Sequence, residues 1–279
     1  MEKRAHQWDF SYLLATESNS LDKNLTVDKY NKMLGYWCKM MGRVFLPPFG
    51  WLDERAKENG EYKAYSIVIQ APRANRGTIT LRYEYDDPYK MDVWMLYLPS
   101  LRRVRKMGVT DTQDPQGDMT YDDTNFISQK VTPEKFPYKF SVEEREYLLP
   151  FANNTAKSWI DSKSGYAWRD LQFQRRPTYI LTMTQMDPNY TYSKRVYYID
   201  AETFQPIFGV FYDQKGQLYR SYVVPYSFFP ECGQLTSYGQ PALQSDYIDQ
   251  HTTFQMLVYI PASWDRRYFT VEHLIKYGK

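Results

Sequence analysis

Apolar and polar residues alternate along much of the chain, and this period-two pattern predicts a protein built mainly of β-strands. The clearest example is Thr78–Asp86, where Ile79, Leu81, Tyr83 and Tyr85 share one face while polar residues occupy the other. A proline-containing turn follows and leads into the apolar run of the next strand. This order is typical of an antiparallel meander.

Similar runs extend the meander along most of the sequence. They predict strands at Tyr62–Gln70, Met91–Leu98, Phe136–Tyr147, Trp168–Arg175, Tyr179–Met186, Lys194–Ile199, Pro206–Tyr212, Gln217–Val224 and His251–Ile260. About nine or ten strands with few helices indicate a mainly β (α+β) fold, in which one curved antiparallel sheet forms an incomplete barrel. We predict that residues 1–279 form a single domain, with an N-terminal segment at 1–60 and a C-terminal extension at 229–279.

One segment departs from this pattern and predicts a helix between Lys29 and Val44. Asp28 is placed to cap its start, and Pro47 and Pro48 end it, although two glycines within it are unfavourable for a helix. The apolar residues recur at steps of three and four: Tyr30, Met33, Leu34, Trp37, Met41 and Val44.

The stretch from Met91 to Phe126 combines an apolar strand with a dense group of charges. A cationic run is followed by a loop rich in carboxylates: Arg102, Arg103, Arg105 and Lys106, then Asp118, Asp122 and Asp123. We expect the arginine forks to form charge-assisted hydrogen bonds with these carboxylates, in a structural role that fixes the loop over the mouth of the sheet. A calcium site that adds Asp114 is the alternative, but the spacing is not that of an EF-hand.

Composition and charge narrow the function classes. The net charge is +2 and no nucleic-acid-binding pattern accompanies the basic run, so a nucleic-acid partner is not expected. No apolar run reaches the roughly 18 residues of a membrane span. Met1–Phe10 lacks the apolar core of an intact signal peptide. Cys38 and Cys232 permit one disulfide without requiring it.

Candidate catalytic chemistry is sparse. The three histidines, His6, His251 and His273, are not beside a nucleophile signal, and no P-loop, G-x-S-x-G or G-x-G-x-x-G motif occurs. Cysteines and histidines are too scattered for a zinc site. Asp122 and Asp123 would point to opposite faces of a strand, so they could not flank one glycosidic bond. We therefore expect a non-enzymatic protein without a metal or cofactor.

Two motifs carry a family resemblance. The string YLPSLRRVRKM, followed by GDMTYDDTNF, resembles the signature of bacterial outer-membrane lipoprotein-sorting-like proteins, which are LolA-like domains and include a branch known only as a domain of unknown function. A later segment, Lys194–Tyr222, matches a strand pair and hairpin of the same family, and the resemblance covers about Gly60–Phe228. It implies a LolA-like incomplete barrel with a few helices on its concave side, and Lys29–Val44 is the candidate for a lid helix.

The resemblance also implies a function. It suggests a periplasmic protein, in some cases associated with the outer membrane, whose export signal has been removed. Such a protein would carry or accept a hydrophobic ligand, a lipid or a lipoprotein acyl chain, in outer-membrane trafficking. Each buried CH₂ contributes about 0.8 kcal/mol, so apolar contacts alone can hold an acyl chain.

Face alternation gives the ligand-lining candidates: Tyr83, Trp94, Leu96 and Phe254. The alternative function is that of an envelope interaction protein with a filled core and no ligand cavity. That protein would dock on an inner-membrane lipid-exporting transporter.

Overall fold

The computed structural model describes residues 11–24, 26–44, 46–107, 115–116, 119–120, 137–152, 158–161, 165–168, 171–229, 234–236, 240–262 and 265–277. Within these ranges, side chains are described outside 11–17, 115–120, 152–171, 227–242 and 254–262. Strands dominate this part of the chain, which confirms the predicted mainly β fold.

Twenty-one strands lie in the described ranges, and thirteen of them belong to the largest sheet. Every ladder described between strands of this sheet is antiparallel, as a meander requires. The strands are β1 (Ser11–Leu21), β2 (Val27–Lys39), β3 (Met41–Arg43), β4 (Gly50–Trp51), β5 (Glu61–Ala71), β6 (Ile79–Tyr85), β7 (Val93–Leu98), β8 (Arg103–Met107), β9 (Pro115–Gln116), β10 (Met119–Thr120), β11 (Tyr138–Ala152), β12 (Ser158–Asp161), β13 (Gly165–Trp168), β14 (Leu171–Gln185), β15 (Lys194–Asp200), β16 (Pro206–Tyr212), β17 (Leu218–Val223), β18 (Ser227–Phe229), β19 (Gln234–Thr236), β20 (Gln240–Asp246) and β21 (His251–Ala262).

Helices are few and short in the described ranges. Two are α-helices, α1 (Glu54–Asn59) and α2 (Val271–Tyr277), and two are single 3₁₀ turns, Arg73–Asn75 and Arg266–Tyr268. None of the helices in this part of the chain has the length and apolar character that a membrane crossing requires.

The chain divides into two compact units. Unit 1 contains Met1–His6, Ser18–Lys29 and Gln113–Leu257. Unit 2 contains Gln7–Glu17, Tyr30–Thr112 and Val258–Lys279. The single domain expected over residues 1–279 stays a prediction.

Unit 1 is built on strands hydrogen-bonded in the order β11, β14, β15, β16, β17, β20 and β21. The two strands predicted on either side of Pro177 are one strand, β14, which pairs with β11 along its whole length. Pro177 is tolerated there because β15 pairs with β14 only from Thr178 onward. The core is rich in aromatic residues: Tyr138, Leu149, Phe151, Met183, Tyr190, Tyr192, Tyr197, Ile207, Phe211, Tyr222, Val224 and Tyr226.

Unit 2 is built on strands hydrogen-bonded in the order β2, β5, β6, β7 and β8. The strands predicted at Tyr62–Gln70, Thr78–Asp86 and Met91–Leu98 are confirmed as β5, β6 and β7. The predicted apolar face of β6 is confirmed as well, because all four of its residues lie in the core. That core comprises Cys38, Met40, Ala56, Ala64, Ile79, Leu81, Tyr83, Tyr85, Tyr97, Phe269 and Leu274.

A polar corner attaches the C-terminal segment of unit 2 to the start of β5. The Asp53 carboxylate caps α1 by accepting a hydrogen bond from the Ala56 backbone N–H at 2.8 Å. The Arg266 guanidinium donates to both Asp53 oxygens, at 2.8 and 2.7 Å, and also to Glu61. These hydrogen bonds from Arg266 hold the pKa of Asp53 below its usual range.

The predicted lid helix over Lys29–Val44 is wrong. Val27–Lys39 is a strand, β2, which pairs with β5 from Lys32 opposite Ala71 to Lys39 opposite Lys63. From Met33 to Lys39, side chains on both faces of β2 are half-buried or buried, so its apolar residues do not alternate cleanly and also fit a helical spacing. Cys38 is buried within this strand, and Cys232 lies outside the described residues, so the disulfide that the sequence permits stays untested.

Candidate functional site

Unit 2 presents a second side-chain face, opposite the face that packs into its core. The strand register defines this face, because Trp37, Tyr65, Arg82 and Trp94 are paired in succession across four strands. We call it the mixed face. Its members are Met33, Gly35, Trp37 and Lys39 from β2; Lys63, Tyr65, Ile67 and Ile69 from β5; Thr80, Arg82 and Glu84 from β6; Trp94, Leu96 and Leu98 from β7; and Arg103, Arg105 and Met107 from β8.

One end of the mixed face holds a buried network of ion pairs. Arg82 Nη2 donates to Asp92 Oδ2 at 2.7 Å, and Arg82 Nε lies 3.7 Å from Glu84 Oε1. Lys63 Nζ lies 3.1 Å from Glu84 Oε2. Arg82 Nη1 also donates to the Tyr65 hydroxyl at 3.1 Å. All four charged residues are at most 9% exposed, so two cations and two carboxylates neutralise one another away from water.

The electrostatics of this network fix its charge states. Burial acts to lower the pKa of the Arg82 guanidinium, but the neighbouring Tyr65, Glu84 and Asp92 outweigh burial and raise it. Burial raises the pKa of the Tyr65 phenol, which therefore stays neutral and accepts the hydrogen bond from Arg82. A guanidinium held protonated by its partners cannot act as an acid or base near neutral pH. The arrangement therefore positions side chains and does not supply proton transfer.

Aromatic rings lie beside the charged network. The Trp37 and Tyr65 rings stack, with centroids 4.9 Å apart and planes 15° apart. A Cβ at Gly35 would lie 2.3 Å from Trp37 Cζ3, so the indole packs directly over the glycine. Glycine at this position therefore lets Trp37 lie flat along the mixed face.

The other end of the mixed face is apolar. The next row across the sheet pairs Ile67 with Thr80 and Thr80 with Leu96. Ile67, Ile69 and Leu96 are half-buried, and none belongs to the hydrophobic core of unit 2. They therefore keep accessible apolar surface at a place where the sheet does not use it for its own core.

Two motif arginines border this apolar row. Arg105 is paired with Leu96, and Arg103 is paired with Leu98, so both lie on the mixed face along β8. Both are exposed, and neither makes an ion pair with any residue that the structure describes. Arg102 precedes β8 in a turn, with a left-handed φ of 48° and its N–H donated to the Pro99 carbonyl.

The predicted ligand-lining residues do not form one set. Trp94 and Leu96 share the mixed face and are half-buried. Tyr83 lies on the core face, where its hydroxyl donates to the Phe269 carbonyl. Phe254 belongs to unit 1, where it lies in β21 and is paired with Leu243 of β20. Its side chain is outside the described residues.

The carboxylates predicted to pair with the motif arginines follow β8 in the sequence. Asp118, Asp122 and Asp123 lie outside the described residues, so their pairing with Arg102, Arg103 and Arg105 stays a prediction. The same holds for a calcium site at these carboxylates.

Sequence reasoning missed the ion-pair network. Alternation placed Arg82 and Glu84 on one face, but Asp92 and Lys63 join them from other parts of the sequence. The signal for this network in the sequence was the pair of opposite charges, Arg82 and Glu84, two residues apart on one predicted strand. Their partners become visible only once the register of three strands is known.

Comparisons with known proteins agree with this architecture. The sequence matches none of the curated proteins. Three solved structures are similar over 98% of this chain. A domain from Vibrio parahaemolyticus, provisionally named for outer membrane lipoprotein sorting, is 16% identical, with 95% of its chain covered and a TM-score of 0.63. A DUF1329 family protein from Desulfovibrio piger is 16% identical, with 94% covered and a TM-score of 0.62.

A LolA superfamily protein from Nitrosomonas europaea is 12% identical, with 95% of its chain covered and a TM-score of 0.52. These likenesses confirm the LolA-like fold that the sequence motifs predict. The family model for the protein of unknown function DUF1329 matches residues 43–274, well over half of the sequence and beyond both ends of the motif region. The chain therefore belongs to the DUF1329 family.

Proposed function

We propose that this protein is a non-enzymatic periplasmic carrier or acceptor of a hydrophobic ligand in outer-membrane lipid or lipoprotein trafficking. The ligand is a lipid or the acyl chains of a lipoprotein. The observation that carries the proposal is the apolar row Ile67–Thr80–Leu96 on the mixed face, which is half-buried and separate from the core of unit 2. The LolA-like fold and the sorting function in the name of the Vibrio protein support it.

The energetics favour a ligand with more than one acyl chain. Burying a chain of about twelve carbons contributes roughly 10 kcal/mol at about 0.8 kcal/mol per CH₂. Association itself costs roughly 4–15 kcal/mol in lost freedom. One chain is therefore held weakly, while two or three chains on one headgroup or protein are held much more tightly.

The chemistry of the described residues agrees with a non-enzymatic role. Lys63, Arg82, Glu84 and Asp92 compensate one another's charge, and the raised pKa values of Arg82 and Tyr65 keep both groups in their ordinary charge states. Such groups order a surface and do not exchange protons with a substrate.

Lipid extraction and binding of an apolar fluorescent probe test the proposal. Native mass spectrometry of the purified protein should show co-purifying lipid, and the lipid should be displaced by the probe. Leu96→Gln should weaken probe binding roughly tenfold, because it places an amide in the apolar row. Leu101→Gln is the matched control: this leucine is 45% exposed in the turn between β7 and β8, and its substitution should leave probe affinity unchanged. A wild-type protein without lipid and without probe binding would refute the proposal.

One observation favours the alternative of an envelope interaction protein. Three large apolar side chains share a face of the β11–β14 pair in unit 1 and are strongly exposed: Val142 at 61%, Leu148 at 58% and Phe173 at 64%. In this alternative the core is filled, and these side chains dock on an inner-membrane lipid-exporting transporter. Phe173→Glu would then abolish association with the transporter in membrane extracts, and the wild type would bind no apolar probe.

A further inference from the structure

The positions of Arg103 and Arg105 relative to the apolar row point to the kind of ligand. Neighbouring strands of a sheet lie about 4.8 Å apart. Arg105 is therefore one strand from Leu96, two from Thr80 and three from Ile67, all on the same face. A molecule lying along this row would end beside a guanidinium at the β8 side.

The two arginines are also spaced to act together. They are separated by one residue on the same strand, so their Cα atoms are about 6.7 Å apart and their side chains leave the same face. Two arginine forks at this spacing are able to bracket one phosphate group, because each fork donates two parallel hydrogen bonds to its oxygens.

The charge environment of these arginines differs from that of Arg82 and Arg266, two paired arginines of unit 2. Arg82 is paired with Asp92, and Arg266 is paired with Asp53 and Glu61. Arg103 and Arg105 instead lie exposed beside apolar side chains, without a carboxylate partner among the described residues. Exposed cations at the border of an apolar strip are complementary to an anionic amphiphile.

We infer, on the basis of the function proposed above, that the ligand is a phospholipid with a net negative headgroup. Arg103 and Arg105 bind its phosphate, and its acyl chains lie along Leu96, Thr80 and Ile67. The competing arrangement is the predicted pairing of these arginines with Asp118, Asp122 and Asp123, which would leave no charge for a headgroup.

Two lipids that differ only in headgroup test the inference. Wild-type protein is titrated with phosphatidylglycerol and with phosphatidylcholine of identical acyl chains, both in neutral detergent micelles. We expect phosphatidylglycerol to bind about tenfold more tightly. Arg105→Ala should remove most of this preference, because the lost guanidinium weakens binding of the net-negative headgroup more than binding of the zwitterionic one.

Lys106→Ala is the matched control. It removes one exposed cation from the same strand, but Lys106 is paired with Met95 and so lies on the opposite face. It should keep the preference for phosphatidylglycerol. If Arg105→Ala and Lys106→Ala lose the preference for phosphatidylglycerol equally, only the general positive charge of β8 attracts the lipid. This result would overturn the inference.

The remaining outcomes separate this inference from the proposed function. Equal binding of the two lipids by the wild type, together with normal probe binding, refutes the anionic headgroup and keeps the apolar carrier. Loss of thermal stability in Arg105→Ala, without a change in headgroup preference, supports the carboxylate pairing and also overturns the inference. Absence of all lipid and probe binding refutes the proposed function itself.

Discussion

Removal of Asp92 is the most direct test of how the mixed face is held together. Arg82 is 2% exposed and Asp92 is 5% exposed, and their 2.7 Å hydrogen bond is the shortest described contact between Arg82 and a carboxylate. In Asp92→Ala the carboxylate that remains near the guanidinium in the described part of the chain is Glu84 at 3.7 Å, and Glu84 is already shared with Lys63. Leaving a buried charge without its partner typically costs about 3–5 kcal/mol. Domains have a total stability of about 5–15 kcal/mol, so the loss would be large.

The assay is urea unfolding at neutral pH, followed by tryptophan fluorescence and analysed by linear extrapolation. Arg82→Met combined with Asp92→Leu should recover most of the lost stability, because removing both partners of a buried pair is often neutral or favourable. Glu143→Ala is the surface control. Its partner Arg145 is 66% exposed, and the change should alter the free energy of unfolding by less than about 1 kcal/mol.

Two results would show that this reasoning is wrong. One is an Asp92→Ala protein whose unfolding free energy falls no further than that of Glu143→Ala. The other is a double variant as unstable as the single one, which would mean that Asp92 acts through its contact with the Tyr85 backbone N–H at 3.3 Å and not through Arg82.

Three further predictions concern other parts of the chain. Asp122→Ala separates the two arrangements of the motif arginines: carboxylate pairing predicts a lower melting temperature, because a cation loses its partner, whereas headgroup binding by Arg103 and Arg105 predicts an unchanged one. Gly35→Ala should cost about 1–3 kcal/mol and shift tryptophan emission, because the new methyl group displaces Trp37; unaltered emission would be inconsistent with this packing. Wild-type stability should fall as pH drops below about 4, since the folded-state pKa of Asp53 lies below its unfolded value. Arg266→Ala should flatten this dependence in acid-unfolding curves, whereas an equally steep curve would exclude Arg266 as its cause.

The sequence predicts strands well where only one face is covered by apolar core. Ile79, Leu81, Tyr83 and Tyr85 give a strict alternation, and all four are buried together in unit 2. Strand β2 is different, because Tyr36 and Cys38 lie toward the core while Trp37 lies on the mixed face. When both faces of a strand are covered, period two disappears from the apolar pattern, and a helical period can be fitted by chance.

The candidate site was predictable only in part, for a related reason. Alternation tells which side chains share a face, so Trp94 and Leu96 were correctly placed together and Arg82 was correctly placed away from the core. It does not tell whether a polar face is covered. The partners of Arg82 and Glu84 come from Asp92 and Lys63, and only the strand register brings them into contact.

The mixed face combines buried ion pairs at one end with an apolar row at the other. A surface serving only as a second core would gain from apolar residues at positions 63, 82, 84 and 92, because buried ion pairs are often no better than hydrophobic residues of similar size. The chain instead buries four compensated charges, which fix the position of Tyr65 and, through ring stacking, of Trp37. At the other end, Arg103 and Arg105 stay exposed beside a half-buried apolar row. If the proposed ligand binds here, a rigid charged base, an aromatic middle and an apolar end with a cationic border would present it with a surface ordered in advance, and preorganisation of this kind lowers the cost of binding.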